Sequence, residues 1–405
     1  MSALPEVLID ATILRAGSGL YGIGRVTYDL LRGLAERRDE WRDRMRISAL
    51  ASLELSGRAT ISSDLAAVAE QGMLARDTAS SWLDTARRAW LGPVARRHDV
   101  ALVHMTEMRG TPLVLPVARV STCHDLISLR DPRHYLGIEV RYPDRYVGWR
   151  IGFALGVAKQ WHRYHAASRV VAISRQTRDD LVRFLRLDSD RIDVVPNGVD
   201  LERWRATSAS AGDAAIVRKH GLGARPFLLY VGACDFRKNV PNMLRGLAEA
   251  RQVEDVELAW AGGLPEWKLR AVRRQIAEAG VGAHVKMLGF VADEELPALY
   301  RAARAHLFLS RIEGFGLTVI EAMLAGCPVI AARGSGSDEM LGDAGEIVDP
   351  DDAGGAARAI VRLGDPALRA RLVDRGRAYA GRYSRTSMAI GYASSYARAL
   401  DALGR

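Results

Sequence analysis

Two glutamates lie eight positions apart in a stretch that glycines interrupt. Glu313 comes directly before a turn at Gly314 and Gly316. Glu321 lies in the segment 317–325, whose apolar residues have helical spacing. In an unbroken helix the two acids would be about 12 Å apart, but a glycine turn lets them face different points of one ligand. One acid could bind a sugar and the other a ribose, although a loop acid and a helix-cap acid without such roles would have the same spacing.

The same turn is a candidate phosphate site. Glycine lets backbone N–H groups approach a ligand closely. The helix that follows would add free N–H groups and the positive end of its dipole, and both favour a diphosphate. The segment therefore has candidate groups for a sugar, a diphosphate and a ribose.

Two adjacent cations follow another predicted strand. The apolar run 226–232 precedes Arg237 and Lys238, and a helix is predicted over 240–249. Open α/β sheets bind ligands at the carboxyl ends of their strands. Arginine can bind a phosphate through two parallel hydrogen bonds, and lysine binds it as a point charge. The pair therefore indicates a phosphate site, and an exposed surface pair is the alternative.

Two further candidates follow strands in the first half of the chain. His124 directly follows the predicted strand 119–123, and Asp125 is a candidate to orient its ring. A loop with Gly22 and Gly24 follows the first predicted strand and precedes a helix. Such a loop can bind an anion through its N–H groups. Its spacing does not match the dinucleotide fingerprint, and a plain turn between strand and helix is the alternative.

Short apolar strands alternate with helices along the chain, which predicts parallel α/β sheets. A chain of 405 residues is long enough for two or three domains. Residues 201–224 are small and polar and are predicted to be a linker. We therefore expect two Rossmann-like domains.

The central segment resembles a known family. Its sequence from Glu313 to Ile330, E-G-F-G-L-T-V-I-E-A-M-L-A-G-C-P-V-I, is similar to the motif of the retaining glycosyltransferases of family 4, which have the GT-B fold. Shorter segments also resemble this family: G-I-G-R from Gly22, H-D-L from His124 and R-K-N from Arg237. The resemblance covers nearly all of the chain, most loosely in residues 52–165.

The resemblance implies an α/β fold class, GT-B, in which two Rossmann-like doubly wound parallel-sheet domains face a central cleft. Residues 1–203 would form the N-terminal domain on the acceptor side. Residues 204–384 would form the C-terminal domain that binds the nucleotide sugar. The last helix, residues 385–403, would cross back to the first domain.

The resemblance also implies roles for single residues. Glu313 would hold the sugar hydroxyls, Glu321 would hold the ribose, and His124 would contact the sugar from the opposite domain. Arg237 and Lys238 would stabilise the departing diphosphate. His124, Glu313 and the two cations are thus the expected catalytic residues. Further donor-binding residues that the resemblance implies are Gly22, Gly24, Phe290, Gly314, Phe315, Gly316 and Leu317.

The implied reaction transfers a hexose from a nucleotide sugar to a hydroxyl and retains the anomeric configuration, without a metal or a cofactor. Asp188 and Asp190 form a D-x-D sequence, which we expect to be a turn and not a metal site. GDP-mannose is the expected donor, because the branch of the family with R-K-N contains many mannosyltransferases. Ala233 departs from the many members that have arginine at that position.

Two alternatives to this function remain open. One is a glycosyltransferase that uses a UDP-hexose such as UDP-glucose. The other is a non-catalytic protein that binds nucleotide sugars, although both Glu313 and Glu321 are present. The acceptor is expected to be a growing surface polysaccharide such as lipopolysaccharide, or a lipid-linked oligosaccharide, and a small-molecule acceptor remains possible.

Composition and charge indicate which binding partners and which cellular compartment to expect. The net charge of +9 favours anionic partners, but the sequence has no zinc-finger spacing or RNA-recognition signature, so nucleic acid is not expected. No apolar run is long enough to span a membrane, and the first residues do not resemble a secretion signal. The three cysteines are far apart, which indicates reduced thiols and a cytoplasmic location.

Two stretches could contact an anionic membrane peripherally. Residues 130–178 contain ten Lys and Arg against three acids, with aromatic residues between them. Residues 80–91 have the pattern of an amphipathic helix with Trp82 and Trp90. For both stretches, a helix packed on the sheet is the alternative.

Overall fold

The structure is a computed structural model that describes residues 4–15, 22–54, 56, 58–74, 88–108, 111–135, 146–205 and 211–404. The chain forms two compact units. The first unit comprises Met1–Val199 and Tyr383–Arg405, and the second comprises Asp200–Arg382.

The described strands of the first unit form one sheet. They are β1 (Glu6–Asp10), β2 (Arg46–Leu53), β3 (Ala59–Ser62), β4 (Val100–Met105), β5 (Ala118–Cys123), β6 (Arg169–Ala172) and β7 (Ile192–Val194). Their order is β3-β2-β1-β4-β5-β6-β7. Neighbouring strands are parallel except β2 and β3. β4 is buried along its whole length, as expected for a strand covered on both faces.

The described helices of this unit pack around the sheet, and several of them bury one apolar face. They are α1 (Ile23–Glu36), α2 (Leu65–Leu74), α3 (Leu91–Arg97), α4 (Ile127–Arg130), α5 (Pro132–Tyr135), α6 (Tyr146–His165), α7 (Arg175–Leu185) and the C-terminal helix (Arg385–Asp401). In α1, for example, Val26, Leu30 and Leu34 recur at helical spacing and are buried. Ser174 caps α7 as predicted, because its hydroxyl accepts the Thr177 N–H at 3.0 Å.

A buried polar cluster joins the C-terminal helix to the sheet. The ring nitrogens of His104 lie 2.8 Å from the Thr122 hydroxyl and 2.8 Å from the Tyr396 hydroxyl. The Tyr392 hydroxyl lies 3.0 Å from the same threonine oxygen. Burial lowers the pKa of His104 to about 3, so the ring is neutral at physiological pH. The last helix therefore belongs to the first unit through hydrogen bonds as well as apolar packing.

The described strands of the second unit form one parallel sheet. Its strands are β8 (Phe227–Val231), β9 (Glu257–Ala261), β10 (Val285–Gly289), β11 (Ala305–Phe308), β12 (Val329–Ala332) and β13 (Glu346–Val348). Their order is β10-β9-β8-β11-β12-β13. Its helices are α8 (Leu201–Trp204), α9 (Ala211–Lys219), α10 (Val240–Ala250), α11 (Glu266–Glu278), α12 (Leu296–Ala302), α13 (Leu317–Ala325), α14 (Ser337–Leu341), α15 (Ala353–Arg362) and α16 (Pro366–Ala380).

In each sheet the strand order reverses next to the first strand. The chain runs from β1 to β2 and β3 on one side and then returns to β4 on the other. In the second unit it runs from β8 to β9 and β10 and then returns to β11. The loops after such a pair of strands diverge and leave a crevice at the carboxyl edge, where open α/β sheets bind ligands.

The prediction of a plain linker over residues 201–224 was wrong. Part of this stretch forms α8 and α9. Trp204 is fully buried, with its ring edge-on to Tyr300 at a centroid distance of 6.0 Å. Arg301 binds the Asp213 carboxylate at 2.7 and 2.9 Å. The buried side chains of these two short helices, Trp204, Asp213 and Val217, do not form an apolar period that the sequence alone could reveal.

Two predictions concerned membranes, one about a surface contact and one about spanning helices. The predicted amphipathic helix at 80–91 lies mostly outside the described residues, which resume at Arg88. Within the described ranges, no helix combines the length and the apolar character that crossing a bilayer requires.

Candidate active site

The candidate site of the second unit lies where β8 and β11 run side by side. The two strands are parallel neighbours, so the loops that follow them leave the same edge of the sheet. In the first loop, Asp235 caps a 3-10 turn, Phe236–Lys238, which contains the two predicted cations. In the second loop, the Arg311 N–H donates to the Arg237 carbonyl at 2.7 Å and ties the loops together.

Lys238 and Glu313 form an ion pair across these loops. Lys238 Nζ lies 2.6 Å from Glu313 Oε1, and Arg237 Nη1 lies 3.9 Å from Oε2 of the same carboxylate. The side chains of Lys238 and Glu313 are only 13% and 11% exposed, so solvent screens this pair less than a surface pair. The Lys238 ammonium also lies 5.1 Å from the centre of the Phe308 ring. The structure thus brings together three residues that the sequence predicted to be catalytic.

Asp235 binds the same arginine and was missed in the sequence analysis. Its carboxylate oxygens lie 3.2 Å from Arg237 Nε and 2.7 Å from Nη2, and Oδ1 accepts the Arg237 backbone N–H at 2.9 Å. Burial raises the pKa of Asp235, but the hydrogen bonds and charge of Arg237 outweigh burial and hold that pKa below its usual value. Asp235 is therefore ionised at neutral pH. The signal in the sequence was an acid two positions before the arginine, where it caps a turn.

The predicted glycine turn and its helix are confirmed, and the turn packs on a second bend. α13 begins after Gly316, whose φ of 103° is one that glycine adopts readily. A Cβ on Gly316 would lie 3.1 Å from the Ser337 Cβ. The Glu313 N–H donates to the Ser335 carbonyl at 2.5 Å. Both the backbone angle and the closeness of this bend therefore require glycine at position 316.

A neutral histidine ties the first turn of α13 to the sheet. His306 Nδ1 lies 2.9 Å from the Leu229 carbonyl, and Nε2 lies 3.3 Å from the Thr318 hydroxyl. Since a carbonyl only accepts, Nδ1 carries the proton and Nε2 accepts from Thr318. Burial lowers the pKa of His306 to about 4, so this arrangement persists across the neutral pH range and fixes the start of α13.

The other predicted donor-binding residues of this unit differ in exposure. Phe315 and Glu321 are buried, Glu321 within α13. Gly314 and Leu317 are partly exposed. Phe290 is exposed directly after the edge strand β10. Their contacts with a donor remain predictions.

In the first unit, the ring of His124 is fixed by a backbone carbonyl. Nε2 lies 2.7 Å from the Thr106 carbonyl oxygen, so Nε2 carries the proton. Burial lowers the pKa of His124, which keeps the ring neutral and Nδ1 unprotonated. The prediction that Asp125 orients this ring was wrong, because its carboxylate accepts the Ile127 N–H at 3.2 Å instead.

A buried ionic cluster that the sequence analysis missed supports this histidine. The Thr106 hydroxyl donates to the Asp10 carbonyl at 2.8 Å. Arg88 Nε lies 3.1 Å from Asp10 Oδ2, and its Nη1 lies 2.8 Å from Glu107 Oε1. All of these side chains are buried. The cluster joins the ends of β1 and β4, where the strand order of the first sheet reverses. The signals in the sequence were polar residues at the end of one predicted strand and directly after another.

The glycine loop of the first unit is described only at its end. Gly22 precedes α1 with a φ of 50° and is exposed, and Gly24 is buried in the first turn. Residues 16–21 lie outside the described part. Donor contacts of the two glycines remain predictions.

The D-x-D sequence forms a capped turn. Asp188 Oδ1 accepts the Asp190 N–H at 3.0 Å at the start of the 3-10 turn Ser189–Arg191. Among the described residues, no group of three or more His, Cys, Asp or Glu is arranged to hold a metal ion.

Comparisons with known proteins connect both units to carbohydrate transfer. Residues 21–203 match the family model "Glycosyltransferase Family 4", and residues 213–379 match "Glycosyl transferases group 1". The chain is 29% identical over 273 residues to the O-antigen chain mannosyltransferase B of Escherichia coli, which covers 65% of this chain and 66% of the relative.

A second relative is the GDP-mannose-dependent alpha-(1-6)-phosphatidylinositol monomannoside mannosyltransferase of Mycolicibacterium smegmatis. The two are 31% identical over 247 residues, which cover 58% of this chain and 63% of the relative. These alignments therefore span somewhat less than two thirds of the relatives' own lengths.

The fold is also similar to that of the Anabaena protein HepE, solved in complex with UDP and glucose. The TM-score is 0.69 at 18% identity, and the comparison covers 98% of this chain and 100% of that one. At this identity the similarity concerns the fold alone.

Proposed function

The chain belongs to glycosyltransferase family 4, with the GT-B fold that its motifs predicted, and we propose that it transfers a hexose from a nucleotide sugar to an acceptor hydroxyl. The observation that carries this proposal is the ion pair between Lys238 and Glu313. In a nucleotide sugar the diphosphate and the sugar ring meet at the anomeric oxygen. A cation for the diphosphate and an acid for the sugar hydroxyls should therefore be neighbours, as these two side chains are.

In this mechanism the departing diphosphate gains negative charge, which Arg237 and Lys238 stabilise. Their neighbours orient both cations before a donor arrives, so little reorganisation accompanies the reaction. The amide groups of the glycine turn and the dipole of α13 act on the same charge. Glu313 exchanges its bond with Lys238 for the sugar hydroxyls, and neutral His124 contacts the sugar through its unprotonated Nδ1.

Retention of the anomeric configuration and independence of metal ions are part of the same proposal. Arg237 and Lys238 supply the positive charge that a metal ion would otherwise bring to the diphosphate. We expect full activity in excess chelator and no need for a cofactor. The anomeric configuration of the purified product, read from the one-bond coupling between its anomeric carbon and hydrogen, tests retention, and an inverted product contradicts it.

GDP-mannose is the donor that we propose. The R-K-N segment supports it, and so does the similarity to two mannosyltransferases, one of which is GDP-mannose-dependent. A UDP-hexose such as UDP-glucose is the second candidate, because the GT-B fold, which this chain shares with a protein solved with UDP and glucose, does not by itself select the nucleotide. A donor screen with mass-spectrometric detection of products, together with inhibition by GDP and by UDP, separates the two. Tighter inhibition by UDP than by GDP would overturn the first choice.

The acceptor that we propose is a surface glycan or a lipid-linked oligosaccharide at the cytoplasmic face of an anionic membrane. The helix α6 supports a membrane contact, because Ile151, Leu155 and Trp161 on it are 56%, 55% and 49% exposed. Residues 145–178 contain no Asp or Glu, so no acid in this stretch opposes an anionic surface. Transfer of a labelled sugar into the lipid extract of membranes tests this acceptor class, and label only in water-soluble products contradicts it.

A non-catalytic binding protein is the alternative in which the site holds a nucleotide sugar without reaction. A Glu313→Ala protein that still binds donor while the unchanged protein turns it over favours the enzyme. Binding without turnover by the unchanged protein, with every donor and acceptor class, favours the alternative.

A further inference from the structure

The carboxylate of Asp235 occupies one whole edge of the Arg237 guanidinium. Nε and Nη2 lie 3.2 and 2.7 Å from its two oxygens. Two parallel contacts of this kind fix the plane of the guanidinium as well as its distance. Arg237 therefore has its orientation before any donor is present.

The fixed orientation directs the other end of the guanidinium toward the reacting groups. Arg237 Nη1 lies 3.9 Å from Glu313 Oε2, and Lys238 Nζ lies 2.6 Å from Oε1 of the same carboxylate. The two cations thus converge on the acid that the proposed function assigns to the sugar. In this rotamer both cations lie beside that carboxylate, where the proposed function places the bond between the sugar and the diphosphate.

Asp235 also changes the charge that a diphosphate meets. Arg237 and Lys238 carry two positive charges, and Asp235 and Glu313 carry two negative ones, so the four side chains together are neutral. An acid this close to the phosphate cations weakens the binding of a free nucleoside diphosphate. A site with both cations but without Asp235 would hold the product more tightly than this one.

We propose that Asp235 is a positioning residue of the transfer reaction, which orients Arg237 on the donor diphosphate and eases release of the nucleoside diphosphate product. This inference rests on the proposed function. It adds a specific role for a residue that contacts the arginine and not the reacting atoms. Asp235 weakens the binding of the diphosphate, but it holds Arg237 in the orientation that stabilises the leaving group when the bond breaks.

The alternative is a purely structural role, because Asp235 also accepts the Arg237 backbone N–H at 2.9 Å and caps the turn. A double-mutant cycle separates the two roles. It compares the unchanged protein with Asp235→Ala, Arg237→Ala and the double variant. For each, the turnover number, the donor KM and the dissociation constant of GDP or UDP are measured, with thermal midpoints to check folding.

If Asp235 acts by orienting the Arg237 side chain, the four proteins should differ in turnover and in nucleotide affinity in a specific way. Asp235→Ala lowers the turnover number about tenfold or more, while the affinity for the nucleoside diphosphate stays the same or rises. In the Arg237→Ala background the same change has no further effect on turnover. An equal loss of turnover in both backgrounds, or no loss in either, overturns the proposal. Asp235 would then only cap the 3-10 turn.

A further substitution at position 235 and the result for Arg237→Ala alone keep the test decisive. If Asp235→Ala does not fold, Asp235→Asn replaces it, since the amide oxygen can still cap the turn while the charge is lost. It should lower turnover in the Arg237 protein and not in the Arg237→Ala protein. If Arg237→Ala itself leaves turnover unchanged, the donor-site assignment fails, and this result differs from a failure of the Asp235 proposal.

Discussion

Lys238 Nζ lies 2.6 Å from Glu313 Oε1, although 75 positions separate the two residues in the chain. The contact exists because β8 and β11 are neighbours in the sheet and the loops after both strands leave its carboxyl edge. A cation suited to a diphosphate and an acid suited to sugar hydroxyls are thereby in contact at the point where the strand order reverses.

Loss of the Glu313 charge should separate turnover from nucleotide binding. In Glu313→Gln the sugar loses a charged hydrogen-bond acceptor, worth roughly 1.5–3 kcal/mol, so we expect turnover to fall about 10- to 100-fold. The dissociation constant for GDP or UDP should not increase, because these products lack the sugar and Lys238 loses a competing anion. Steady-state kinetics and calorimetry measure the two quantities. Glu278→Gln, an exposed acid on α11, is the control, and equal turnover in both variants contradicts the assignment.

Gly316→Ala should damage the site more than an equivalent change elsewhere. Alanine at a positive φ costs roughly 1–3 kcal/mol, and its Cβ would also press on Ser337 at 3.1 Å. Gly334 is a matched control, with a φ of 71° and no atom within 4 Å of an added Cβ. We expect Gly316→Ala to lower both the thermal midpoint and the turnover number by more than Gly334→Ala does. Similar losses in the two variants would show that the contact with Ser337 has no role.

Lowering the pH should reduce the stability of the first unit, because His104 is buried as a neutral ring. Its pKa is about 3 in the folded protein, against 6.5 for an unperturbed histidine. Between these values the unfolded state binds more protons, so the free energy of unfolding falls as the pH falls, by up to about 1.4 kcal/mol per pH unit from this residue. His104→Gln removes the titration. The difference between its thermal midpoints at pH 7 and pH 5 should be smaller than that of the unchanged protein. The exposed His98→Gln should keep the original difference, and an equal effect in both variants contradicts this account.

Binding to anionic vesicles should depend on the exposed face of α6. Replacing both Ile151 and Leu155 by serine removes two apolar side chains that are about half exposed. We expect weaker flotation with anionic liposomes, while Lys159 beside them still favours anionic over neutral lipid. The control is Val253→Ser, a 71% exposed apolar residue of the second unit. Undiminished flotation of the double variant, or no flotation of the unchanged protein, counts against a membrane contact at this helix.

The sequence predicted the local features of the site well. The strand before Arg237, the glycine turn at Gly316 and the helix Leu317–Ala325 all occur as expected. These features depend on short-range rules, since apolar spacing, glycine and capping residues act within a few positions of each other. The strand pattern likewise predicted parallel sheets in both halves of the chain.

Contacts between distant segments could not be predicted in this way. The carbonyl that fixes His124 belongs to Thr106, a residue that becomes a neighbour only because β4 pairs with β5. The cluster of Asp10, Arg88 and Glu107 likewise depends on which strands adjoin in the sheet. No spacing within the chain encodes such a register, so the predicted partner of His124, its neighbour Asp125, was the wrong one.

The most direct test of the donor site is the affinity of Lys238→Gln for the nucleoside diphosphate that the unchanged protein binds more tightly, GDP or UDP. Lys238 should form a charged hydrogen bond with the diphosphate, and its loss should also leave Glu313 to repel that anion. We predict that calorimetry, performed below the thermal midpoints of both proteins, shows binding weakened about tenfold or more. Equal affinity of the two proteins would contradict the claim that the diphosphate binds at this ion pair.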